Sequence, residues 1–272
     1  MELGGRLGPN LTADTGAVIA TLACMLRVSS LTAVLVFLLP NISNASPISW
    51  NGAADFSSAD PSGQWSYGHG TTGSLFIPYT DFNSPCDGQA GTACWQPPAA
   101  DIQFGVPLVG IDTTSSAFSF GTVVLQTGVL WMHPANGPVA SDSIVRWTAP
   151  ASGTFSISGL FELLDTNPTG VFVGIYDNSL LLDAAGLASP GATPPGTPGQ
   201  QHAFSLLLNL NAGDVISFGV NNGGVVFNDS TGLDATIRTV NAVPEPTSVT
   251  LVAGGTALLW LRKRRRNSPG LR

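Results

Sequence analysis

Glu162 and Asp165 are the two carboxyl groups whose spacing best suits acid–base chemistry, three positions apart at the end of an alternating segment. Cleavage of a glycosidic bond needs two facing carboxyl groups, one held protonated and one ionised. Glu162 is the only glutamate between residues 46 and 242, and alternation turns it away from Phe161 and Leu163, towards solvent. The thirteen aspartates of the same stretch offer many other pairs, so this signal selects nothing by itself. The histidines are His69, His133 and His202, and no two have metal-ligand spacing along one strand or helix. A serine nucleophile would sit in a Gly-x-Ser-x-Gly elbow, and the sequence contains none. The reading is therefore of a protein that is not an enzyme.

Binding chemistry is easier to place. Trp65 and Tyr67 lie two apart in Gln64-Trp65-Ser66-Tyr67 and share one face if the segment is a strand; Trp95 stands beside Cys94. Flat aromatic faces with polar neighbours suit sugar rings, so Trp65, Tyr67 and Trp95 are the candidate ligand-binding residues. The loop Asn228-Asp229-Ser230-Thr231-Gly232-Leu233-Asp234 carries oxygen ligands of the kind that hold Ca²⁺, which makes Asp229 and Asp234 the candidate metal ligands. Those carboxylates can equally cap the backbone of a tight turn. No other cofactor is implied.

Charge narrows the partners. Residues 46–242 hold no lysine, thirteen aspartates, one glutamate and two arginines (Arg146 and Arg238), a net charge of −12. Such a surface cannot track a phosphate backbone by counterion release, which excludes nucleic acid. Cys86 and Cys94 flank a glycine-rich heptapeptide, and an even pair in an oxidising compartment reads as a disulfide.

The elements that must position these residues are strands. Phe155, Ile157, Phe161 and Leu163 alternate with Thr154, Ser156, Ser158 and Glu162, the period of a half-buried strand. The same alternation runs through Val123-Leu125-Thr127-Val129-Trp131 and through Phe204-Leu206-Leu208-Leu210. Trp147 joins Val145 on an inward face. Val171–Tyr176 and Val215–Val220 are nearly continuous apolar runs, predicted as more deeply buried strands. Asp177-Asn178-Ser179, Asn211-Ala212-Gly213-Asp214 and Asn221-Asn222-Gly223-Gly224 are turns between them. Ser189–Gly199, rich in proline and glycine, reads as an excursion loop. This pattern predicts an all-β fold, a single antiparallel β-sandwich over residues 46–242. The segment Arg146–Phe155, with its Pro-x-x-Gly-Thr corner, and the later Leu210-Asn211-Ala212-Gly213-Asp214 resemble the jelly-roll domains of bacterial surface proteins and carbohydrate-binding modules.

The ends of the chain carry addresses. Residues 1–45 contain an apolar core, Leu31 to Leu39, behind Met25-Leu26-Arg27, with small residues leading to cleavage between Ala45 and Ser46. This reads as a secretory signal helix, with translation expected to start at Met25. Residues 243–272 hold Pro244-Glu245-Pro246, then a thirteen-residue apolar run from Val249 to Leu261, then Arg262-Lys263-Arg264-Arg265-Arg266. As a helix the apolar run would span about 20 Å, shorter than a comfortable bilayer crossing. Five cations behind it would stay cytoplasmic.

That three-part tail resembles the PEP-CTERM sorting signal of bacterial exported proteins. The resemblance implies an exosortase-type processing enzyme as partner, passage across the inner membrane, a transient membrane anchor, and a cell-surface or extracellular destination. Exosortase systems accompany exopolysaccharide production, which makes a matrix polysaccharide the implied ligand. The resulting expectation is a structural or adhesive surface protein. The alternative from the enzyme class is a secreted polysaccharide hydrolase or lyase. A remoter one is an ice-binding protein, although no Thr-x-Thr ladder is present.

Overall fold

In the computed structural model, the described residues are 46–98, 107–136, 142–193 and 196–240. The signal segment, Ala45, Pro244-Glu245-Pro246, the apolar run and the 262–266 cluster lie outside them. Among the described residues every regular element is a strand, and no helix is long and apolar enough to cross a membrane.

In chain order the strands are β1 (Ser49–Asn51), β2 (Trp65–Thr71), β3 (Leu75–Pro78), β4 (Asp81–Asn83) and β5 (Thr92–Gln96). Then come β6 (Leu108–Asp112), β7 (Phe118–Phe120), β8 (Val123–Leu125), β9 (Leu130–His133) and β10 (Asp142–Thr148). The last are β11 (Gly153–Leu163), β12 (Val171–Asp177), β13 (Leu180–Leu187), β14 (Gln201–Leu210), β15 (Val215–Asn221) and β16 (Thr231–Thr239).

They form two antiparallel sheets and one hairpin. The larger runs β14-β11-β16-β9-β6-β5-β4, with β1 also on β16; the smaller runs β13-β12-β15-β10-β2-β3; β7 and β8 pair only with each other. Strands β1 and β9 share an edge of β16, the first at Thr236–Arg238 and the second at Thr231–Leu233.

Period two decides what goes inside. On β11, Phe155, Ile157, Phe161 and Leu163 are buried together with Val145 and Trp147 of β10 and Ile216, Phe218 and Val220 of β15. Both sheets therefore give one face to a common core, a β-sandwich. Trp65 and Trp147 stand opposite each other in the β2–β10 register, and both are fully buried. Each such side chain contributes roughly 1.5–3 kcal/mol of burial free energy.

The structure corrects several expectations. Val123 to Trp131 is not one strand: the chain turns at Gly128, whose φ of +79° favours glycine, and leaves β8 and β9 in separate sheets. β12 is half-buried, since Phe172 points into solvent while Val171, Val173 and Ile175 point inward. The proline-rich segment after β13 is no free excursion. Ala192 N donates to Asp165 O (2.8 Å) and Gly199 N to Leu163 O (3.2 Å), so it is tied to the end of β11.

The outer faces are also covered in part. On the larger sheet, Cys86, Cys94, Leu108, Leu125, Trp131 and Leu164 form a second apolar cluster, with Phe118, Phe120 and Val123 of the β7–β8 hairpin packed against it. On the smaller sheet the β2–β3 hairpin curls back over its own strands. Thr72 N and Oγ1 both donate to Asp142 Oδ2, at 2.8 and 2.7 Å, and Phe76 lies 4.1 Å from the Arg146 guanidinium.

A candidate binding cleft on the outer face of the larger sheet

Trp131 owes its position to a glycine beside it. The β9 register sets it beside Gly232 of β16 and Gly110 of β6, and a Cβ at Gly110 would approach its ring to 3.3 Å. The indole can therefore lie along the sheet, with Phe120 meeting it edge-on at 5.5 Å. His133, two residues on, points to the same face and pairs in register with Leu108.

Three loops complete the walls. Cys86 and Cys94 are joined by a disulfide, which holds Asp87 and Gln89 at one side. The β7–β8 turn brings Thr122, anchored where Thr166 N donates to Thr122 O (2.8 Å) and Val124 N to Leu164 O (2.7 Å). The segment between β15 and β16 supplies Val226, Phe227, Asn228 and Ser230. Together they enclose a cleft of about 450 Å³.

Its polar groups are mostly committed. Asp165, at the cleft floor, accepts from Thr122 Oγ1 at 2.5 Å and from Ser230 N at 2.7 Å. His133 Nδ1 lies 2.8 Å from Pro134 O, and a carbonyl only accepts, so Nδ1 carries the proton and Nε2 is left as an acceptor. Burial lowers the His133 pKa, against the pull of the Pro134 carbonyl and of Asp165 and Asp87, so the ring is neutral at neutral pH. The indole Nε1 of Trp131 is buried with no hydrogen-bond partner. Phe227 is 70% exposed, an aromatic face at the rim. The cleft thus sets the exposed Phe227 ring and the half-buried Phe120 ring around a buried Trp131, with an imidazole, two carboxylates and two amide side chains, a composition suited to holding a polyhydroxylated ligand.

The sequence-derived site residues lie elsewhere. Trp65, Tyr67 and Trp95 all pack in the inner core between the sheets, and none lines the cleft. Trp65 Nε1 donates to Asp55 Oδ2 (3.1 Å), and Trp95 Nε1 to Ser57 O (2.9 Å). The loop after β1 thus satisfies both indoles from above, and Phe56 packs 5.1 Å from Tyr67. Their shared face is the inner one because β2 pairs with β10, whose Trp147 and Val145 also face the core.

The carboxylates are likewise separated. Glu162 does turn away from Phe161, yet it is 4% exposed, lying over Gly232; Gln201 Nε2 donates to its Oε2 at 3.0 Å. Burial raises its pKa, opposed by Gln201 and reinforced by Asp234. Glu162 and Asp165 therefore have different partners and do not share a cleft. Asp229 bonds Thr169 Oγ1 at 2.7 Å, whereas Asp234 lies 3.4 Å from Asn51 Nδ2, so these two are not brought together either. Among the described residues no three His, Cys, Asp or Glu side chains converge.

No family model matches the chain, and no curated protein does. Partial likenesses exist among solved structures. The K3 adhesin domain of Lys-gingipain from Porphyromonas gingivalis is 14% identical with a TM-score of 0.29, covering 42% of this chain and 75% of that one. A family 35 carbohydrate-binding module from Clostridium thermocellum is 15% identical with a TM-score of 0.29, over 55% and 98%. The Stig cyclase Fisc from Fischerella sp. TAU is 13% identical with a TM-score of 0.35, over 65% and 100%. At these values no function transfers, and the cleft is read from its own residues.

Proposed function

We propose that this chain is an exported surface protein whose β-sandwich binds polysaccharide in the cleft beside Trp131, in a structural or adhesive role. The observation that carries the binding half is the cleft itself, where Phe120, Trp131 and Phe227 stand with Asp87, His133 and Asn228 around about 450 Å³. Aromatic rings supply most of the contact area for a sugar, and a few polar groups fix its orientation. The export half rests on the tail resemblance, with Pro244-Glu245-Pro246 as the segment read by an exosortase-type enzyme.

The experiment is a binding screen of the purified protein against a polysaccharide array. Saturable binding that is lost in Phe227→Ala supports the reading. Absence of binding to every glycan removes the ligand and leaves a structural surface protein. Shortening of a bound polysaccharide would instead establish the hydrolase or lyase alternative. For export, N-terminal sequencing of secreted protein should begin at Ser46, and Glu245→Ala should leave the precursor in the membrane.

A further inference from the structure

Thr169 precedes β12, and its hydroxyl oxygen lies 3.0 Å from Val225 O, 2.7 Å from Phe227 O and 2.7 Å from Asp229 Oδ1. A hydroxyl has one proton and can donate to one of those three acceptors. With Asp229 ionised, two oxygens are thus drawn to within hydrogen-bond distance of Thr169 with no hydrogen between them. Asp229 is fully buried, and its second oxygen, Oδ2, accepts no hydrogen bond. The Thr169 and Gly170 amides favour the ionised form of that carboxylate, and Asp165 opposes it with a second negative charge beside it. Neither arginine serves this corner: Arg146 lies over Phe76, and Arg238 reaches Ser49.

We propose that the Val225 and Phe227 carbonyls, the Asp229 carboxylate and the Thr169 hydroxyl form a binding site for one hard divalent cation, Ca²⁺. The donor set is all oxygen and mixes carbonyl, hydroxyl and carboxylate, as calcium prefers. Ligands at 225, 227 and 229 come from alternate residues of one loop, an arrangement by which a short segment wraps an ion. Thr169 itself is exposed, which leaves one side of the set facing solvent. Calcium would supply the positive charge that the buried carboxylate otherwise lacks. Asp234 is not part of this set; its partner is Asn51. The site adjoins the cleft through Phe227 and Asn228, but its occupancy does not depend on whether the cleft binds a sugar.

The test uses CaCl₂ alone on the purified protein after treatment with EGTA. Isothermal titration calorimetry should show one saturable site, and saturating Ca²⁺ should raise Tm by roughly 5 °C. Asp229→Asn keeps the shape and removes the charge; it should weaken Ca²⁺ binding about ten-fold or more. Thr169→Val removes a ligand at an exposed position and provides a second variant should Asp229→Asn fail to fold. Asp234→Asn should bind as the unmodified protein does. Absence of Ca²⁺ binding by the unmodified protein, or undiminished binding by both Asp229→Asn and Thr169→Val, would overturn the proposal. An equal response to MgCl₂ would overturn the calcium assignment.

Discussion

Thr72 lies directly over Gly219, so close that no Cβ fits between them. The contact is what lets the β2–β3 hairpin fold back over the smaller sheet. Thr72 cannot swing aside, because its amide and its hydroxyl are both bonded to Asp142, whose other oxygen accepts from Asn221 Nδ2 at 2.6 Å. Gly219→Ala should therefore destabilise the domain by about 1–3 kcal/mol, the usual cost of overpacking. Urea denaturation measures it; a change within about 0.5 kcal/mol would mean the hairpin lifts away freely.

Asp60 should impose a pH dependence on stability. Burial pushes its pKa up to about 6, against the pull of the Tyr67 amide, which donates to Oδ1 at 3.2 Å. Between about pH 4 and pH 6 the folded state keeps a proton that the unfolded state has released. The unfolded state then binds fewer protons, so stability falls as pH rises through that window and levels off above it. Asp60→Asn keeps the acceptor and removes the titration. The variant should gain on the unmodified protein as pH rises from 4 to 7, read as a growing Tm difference. Parallel curves for the two proteins would refute the assignment.

The strands were legible because they obey one periodicity: Phe155, Ile157, Phe161 and Leu163 do face the core, and Trp147 lies with Val145 as their spacing requires. What alternation cannot reveal is which of two faces is wet. Trp65 and Tyr67 do share a face, but only the pairing of β2 with β10 makes it the inner one. Glu162 does face outward, but it lies over Gly232 of β16 and against Gln201 of β14, a burial that no local pattern announces. The cleft was missed for a related reason. Its walls come from residues near 87, 120, 131, 165 and 227, brought together by the β16–β9 and β9–β6 registers. The one local signal was Gly128, a turn residue interrupting an apparently continuous alternation.

Trp65 and Phe227 separate packing from recognition. Trp65 is fully buried, and Trp65→Ala should cost about 3–5 kcal/mol of stability by opening a cavity. Phe227 is 70% exposed, so Phe227→Ala should leave stability within about 0.5 kcal/mol. If the cleft is the binding site, Phe227→Ala loses polysaccharide binding in a fully folded protein, checked by circular dichroism and thermal melting. Retained binding in that variant would move recognition away from the cleft.

The disulfide is expected to bear on both properties. Cys86 and Cys94 close a loop of separation 8, which removes conformational freedom mainly from the unfolded chain. The same loop places Asp87, and Gln96 Nε2 donates to both its carboxylate oxygens at 3.2 and 3.1 Å. Thr92 Oγ1 accepts from Cys86 N (3.1 Å), a second tie across the loop. Replacing both cysteines with serine should lower stability by about 2–3 kcal/mol by loop entropy alone. Binding should weaken as well, since Asp87 and Gln89 line the cleft from this loop. A loss of stability with unchanged affinity would show that the loop's hydrogen bonds suffice to hold Asp87 in place, and that the disulfide serves the fold only.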